Sequence, residues 1–229
     1  MAKLIVFTVL SLLLFSCNNP DCQTQQEKSS QNQAAACPAP DPKPEPEPEP
    51  EPEIPDAGDE VPNEALIFDA SVDLYNFDRL DEDKLLKAIE IIKKVIATNE
   101  FRNKVIGHTY QGKKTFVDNK GFTNEQIYQI LLDGKEDLRP VVDHEMDLEL
   151  ELYYSWTSTV GYTTPGSLRI FMNTKFFDNY TPAEVAGNVF HEWIHKLGFN
   201  HDSSYSVSRD SSVPYAIGYI MRDLGRKYE

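Results

Sequence analysis

Cysteine is nearly absent, and what there is comes early. Cys17, Cys22 and Cys37 are the only three, and none follows residue 37. A fold stapled by disulfides and a metal site built on thiolates are excluded for everything after that point. No C-x-x-C spacing occurs, so a redox or zinc-ribbon pair is excluded as well. An oxidising compartment permits a Cys22–Cys37 bridge, and the sequence leaves it open. Long apolar runs are also missing. The stretch from Leu4 to Phe15 has twelve residues, too few to cross a bilayer, and no other run is long enough. Excess positive charge is missing too: 22 Lys and Arg stand against 37 Asp and Glu, a net charge of −15. Nine of those acids and a single lysine, Lys43, fall within residues 41–60. The rest of the chain is mildly acidic and has no basic stripe, so no nucleic-acid partner is expected.

Met1 to Ser16 reads as a targeting segment, with Lys3 as its positive start. Leu14-Phe15-Ser16-Cys17 resembles a bacterial lipobox. That resemblance implies cleavage before Cys17 and lipid on its thiol and new amino terminus. The protein would then be a lipoprotein anchored outside the cytoplasm to a bacterial membrane, at the outer membrane or cell surface. An ordinary secretory signal is the other reading. Residues 17–62 are polar and repetitive, with Pro-Glu alternation from Pro44 to Glu53. Proline favours extended chain and the glutamates repel one another, so a disordered, semi-stiff tether is expected. Residues 63–229 suffice for one domain with a sizeable core.

Within that domain, Asp81 to Thr98 has helical spacing at Leu85, Ile89, Ile92 and Ile96. Phe101 to Ile106 extends it or forms a short second helix. Thr123-Asn124-Glu125-Gln126 is a capping box opening a helix that stops at Gly134. From Asp147 to Tyr154, leucines alternate with glutamates, the pattern of a half-buried strand. Thr157–Tyr162 and Leu168–Asn173 are further strands. Thr181-Pro182-Ala183-Glu184 then starts a helix, with threonine as cap and proline in the first turn.

That helix carries the chemistry. His191-Glu192-Trp193-Ile194-His195 continues through Gly198 to His201 as H-E-x-x-H-x-x-G-x-x-H. Residues four apart lie one above the other on a helix, so His191 and His195 address one metal ion. Gly198 can turn the chain in the left-handed region and bring back His201 as a third nitrogen. Three neutral imidazoles suit zinc and leave its fourth position open. Glu192 sits beside the pair as a general base for water. His108 and His144 lack a spaced set of partners and read as surface polar residues.

At these residues the chain resembles the metzincin clan of zinc metallopeptidases, whose long motif is the same. The resemblance implies an α+β, metzincin-like zincin domain. Its parts would be a small mixed sheet with an edge strand over the cleft, the zinc helix and several other helices. It implies one catalytic Zn(2+) held by His191, His195 and His201, and Glu192 as base. A protein or peptide substrate would lie extended along residues 157–162, which otherwise form a purely structural hairpin. The clan has a methionine turn under the zinc. Ser212-Val213-Pro214 resembles its approach, yet Gly218 falls in the methionine's place and Met221 comes three residues later. Either the turn is rebuilt around Met221 or it lacks the methionine. Tyr219 is then a residue that swings toward the zinc or a packed aromatic, and Asp202 an acid that steadies the loop or a solvent-exposed one. Two other functions fit the same motif: a zinc hydrolase of cell-wall peptides, and a non-catalytic zinc-containing lipoprotein that binds a partner.

Overall fold

In the computed structural model, which describes residues 68–229, four strands form one mixed sheet. The targeting segment, Cys17, the Cys22–Cys37 pair and the tether lie outside the described residues. The strands are β1 (Asp69–Tyr75), β2 (Glu145–Tyr153), β3 (Gly161–Thr163) and β4 (Arg169–Asn173). Their order is β1-β2-β4-β3, parallel except for β3, which runs antiparallel at the edge. The helices are α1 (Arg79–Ile96), α2 (Asn99–Ile106), α3 (Asn124–Asp133), α4 (Thr174–Phe177), α5 (Pro182–Lys196), α6 (Val207–Asp210) and α7 (Val213–Gly225). The architecture is α+β, as expected. No helix among the described residues is long and apolar enough to cross a membrane.

Alternation separates the two faces of the sheet. Leu150 lies opposite Ile170 and Leu152 opposite Met172, and all four are buried. Burying each such side chain contributes roughly 1.5–3 kcal/mol. Glu151 points the other way and pairs with Arg169 at 2.8 Å. Leu85, Ile89, Ile92 and Ile96 of α1 are buried, as their spacing requires. Thr98 does not end α1 but caps α2, accepting from the Phe101 N–H at 3.1 Å, so the segment from Phe101 is a second helix.

Three parts of the chain differ from expectation. β1 carries only Ala70, Val72 and Leu74 as alternating apolar residues, and its ladder partner is a strand some seventy residues later. β3 begins at Gly161, not Thr157. The Asn173 side chain takes the place of the ladder there, donating to the Ser155 and Thr159 carbonyls at 3.0 Å each and accepting from the Ser155 N–H at 3.1 Å. The third is the stretch from Ser212 to Met221, expected to turn beneath the zinc: from Val213 on it belongs to the continuous helix α7 (Val213–Gly225).

α7 crosses α5 where both carry glycine. A Cβ on Gly187 would stand 2.7 Å from the Arg222 Cβ and 2.9 Å from the Gly218 carbonyl oxygen. A Cβ on Gly218 would stand 3.1 Å from both the Gly187 carbonyl oxygen and the His191 Cβ. A side chain at position 218 would press on the backbone of α5 and on His191, so glycine there keeps the two helices close. Met221 is fully buried one turn further along. Gly187→Ala is expected to cost about 1–3 kcal/mol in denaturant unfolding, because neither helix has room to yield. An unchanged midpoint would show the crossing to be looser than described.

Candidate metal centre

The helix that presents the site is fixed at both ends. At its start Thr181 and Glu184 cap each other, with the Glu184 carboxylate accepting from the Thr181 N–H at 3.0 Å. Val185, Val189, Trp193 and Ile194 are fully buried, which sets the rotation of α5. His191 and His195 then share the opposite side, ring centroids 5.1 Å apart. At the far end Gly198 has φ +86. Its N–H bonds to the His195 carbonyl at 3.0 Å, and the Phe199 N–H bonds to the Ile194 carbonyl at 3.4 Å, a Schellman closure. The reversal brings His201 to ring-centroid distances of 5.2 Å from His191 and 4.8 Å from His195.

Hydrogen bonds select the tautomers. His195 Nδ1–H donates to the Phe199 carbonyl at 2.7 Å, and His201 Nδ1–H to the Asp202 carbonyl at 2.9 Å. A carbonyl only accepts, so the proton sits on Nδ1 and Nε2 carries a lone pair. Burial favours the neutral form of two of the rings: it lowers His195 to about 4 and holds His191 well below the usual histidine range. His191 Nε2 and His201 Nε2 face each other at 3.3 Å. Two lone pairs at that distance repel unless a cation lies between them. A tetrahedral ion with bonds of 2.0–2.1 Å separates its nitrogen ligands by about 3.3 Å. The donor set therefore fits a metal ion. Among the described residues it is the one such group of His, Cys, Asp or Glu.

Because burial depresses the His195 pKa, neutral His195 favours the folded state above the unfolded value near ~6.5. That contribution is lost as pH falls toward about 4. Metal-free protein is therefore expected to lose thermal stability between these values, more steeply than a His195→Gln variant. Parallel curves for the two proteins would remove His195 as the cause.

Glu192 is 5% exposed, and burial pushes its carboxyl up to about 8, opposed by the Lys196 ammonium. β3 passes directly over it. A Cβ on Gly161 would stand 3.2 Å from Glu192 Oε1 and 3.1 Å from Asn188 Oδ1, so a side chain there would press directly on both groups. The cleft at this point measures ≈ 1030 Å³ and is lined by β3, α5 and α7. Lys196 latches its wall. The buried ammonium donates to Thr163 Oγ1, to the Ser167 carbonyl and to the Arg169 carbonyl at 3.1 Å. Lys196→Met keeps the stem but strips three acceptors of their partner. About 1–3 kcal/mol of stability should go with it, along with amide protection in residues 161–169. Unchanged exchange there would disprove the latch.

The structure gathers His191, Glu192, His195 and His201 as expected. Asp202 orients His201 through its main-chain carbonyl, while its side chain is exposed. Tyr219 lines the cleft, but Tyr215 is the ring that meets the histidines, at 4.5 Å from both His191 and His201. Reading 213–225 as a helix would have revealed it, since Ala216, Ile217, Ile220, Met221 and Leu224 have helical spacing and leave Tyr215 and Tyr219 together on another side. His108 is half-buried, stacked on Phe116 at 4.2 Å with burial lowering its pKa, so it is not a surface residue. His144 is exposed and bonds the Leu132 carbonyl at 2.8 Å.

No protein-family model matches the chain, and no curated protein matches it either.

Proposed function

We propose that this chain is a zinc-dependent metallopeptidase with a metzincin-like catalytic domain, carried outside the cytoplasm on a lipid anchor at Cys17. One observation carries the reading: three imidazoles converge on a point beside a buried carboxyl, beneath an edge strand. When bound, zinc at His191, His195 and His201 supplies a Lewis acid that polarises a carbonyl and lowers the pKa of water toward ~7. Glu192 takes the proton from the attacking water and returns it to the leaving nitrogen, so the amide is cleaved without a covalent enzyme intermediate. β3 is paired on one side only and offers its free edge to an extended peptide. A structural zinc site needs four closed ligands and no carboxyl beside an open position.

The test uses the full chain reconstituted with zinc. Metal per chain is measured, and the protein is incubated with a diverse peptide library, with and without chelator. One zinc per chain and cleavage abolished by the chelator are expected. Tight zinc binding with no peptide cleaved would overturn the reading in favour of a surface protein that binds a partner.

A further inference from the structure

We propose that Arg209 is a carboxylate-binding residue of the metal cleft, selecting peptides that present an acid within about two residues of the bond to be cut. The proposal rests on the metallopeptidase reading and adds its substrate class. Arg209 lines the cleft, and its side chain is only 14% exposed. Its guanidinium lies over the Tyr215 ring at 4.5 Å and over the Tyr205 ring at 4.8 Å. Tyr215 in turn touches His191 and His201, so the charge stands one aromatic ring away from the metal ligands. Two aromatic rings lie against the guanidinium, whose planar fork of N–H donors matches a carboxylate.

Few of those donors are used. Nη2 meets Asp210 Oδ1 at 3.3 Å, and Nε is buried with no partner. A neighbour in sequence at that distance does not saturate a group with five donors. The backbone is pinned all the same. The Arg209 N–H donates to Ser206 Oγ at 3.0 Å, and its carbonyl accepts from Ser212 Oγ at 2.6 Å and from the Ser212 N–H at 3.0 Å. Asp210 forms an ion pair with this part-buried guanidinium but engages only Nη2, so a positioned cation in the cleft keeps donors that a ligand's carboxylate would use. Two residues of extended peptide span about 7 Å, and a glutamate side chain adds several ångströms, which matches the one-ring offset from the histidines.

The test measures binding as well as activity. Full-length Glu192→Gln protein loaded with zinc is titrated calorimetrically with matched peptides. Glutamate and glutamine are compared at each of the two positions on either side of the central bond, and a terminal acid is compared with a terminal amide. These arms separate a side-chain carboxylate from a chain terminus. One acidic arm is expected to bind about tenfold more tightly than its neutral match. Arg209→Gln should erase that difference, and Arg209→Lys should keep part of it, with zinc content unchanged in both. Equal binding of acid and neutral peptides, discrimination that survives Arg209→Gln, or no binding by any peptide would overturn the proposal. Cleavage by the Glu192-intact protein without acidic preference removes this subsite and leaves the peptidase. Acid-selective binding without cleavage does the reverse.

Discussion

Glu192→Gln is expected to lower kcat/KM for any cleaved peptide about a thousandfold while one zinc per chain is retained. Glutamine has the volume of glutamate, so the buried site beneath Gly161 stays filled. What it lacks is a lone pair basic enough to take a proton from water. The local chemistry prepares that role. Burial raises the carboxyl toward about 8 in the absence of metal, whereas a dication alongside favours the carboxylate. The loaded enzyme should therefore keep its activity below that value, and the acid limb of its pH–rate profile should move down when zinc is bound. Parallel measurement of activity and zinc content decides the assignment. A variant retaining more than about a tenth of wild-type activity would remove Glu192 as the base. Loss of zinc with the side chain would instead give Glu192 a part in holding the site.

His201→Ala is expected to act in opposite directions on the metal-free and the zinc-loaded protein. Structural zinc sites bind with roughly 10–16 kcal/mol shared among their ligands, so loss of one imidazole should weaken zinc by about a hundredfold to a thousandfold. Without metal, the same change removes a lone pair facing His191 Nε2 at 3.3 Å. His201 is only partly buried and sits beyond the helix, so its deletion leaves no large cavity. The metal-free variant should therefore melt no lower than metal-free wild type, while the zinc-induced rise in Tm shrinks. Scanning calorimetry with and without zinc reads both quantities. A metal-free variant that melts well below wild type would mean that His201 stabilises the loop by packing, and that the three imidazoles are not strained against one another.

The candidate site was mostly legible in the sequence because its logic is local. Four-residue spacing puts His191 above His195, the Thr181–Glu184 box starts the helix, and Gly198 ends it in a left-handed turn. Each of these depends on hydrogen bonds that reach three or four residues. The α1 and α3 helices and the β2 strand were legible for the same reason: an apolar period declares which side faces the core. β1 escaped because its ladder joins Asp69 to Glu145 and its own apolar signal is three modest residues. The buried Glu136, which accepts from Trp193 Nε1 at 2.6 Å across 57 residues, escaped likewise. Lys196 reads as an ordinary charged end to a helix until the β3–β4 turn folds over it from some thirty residues back. Tyr215 enters the cleft because α7 packs across α5 at Gly187 and Gly218, and Arg209 reaches it from α6, over the Tyr215 ring. The convergence of the three histidines followed from a helical period and one glycine, both properties of adjacent residues. The rings, cations and edge strand that surround the three histidines follow from packing between segments remote in the chain, where burial and close approach choose the neighbours.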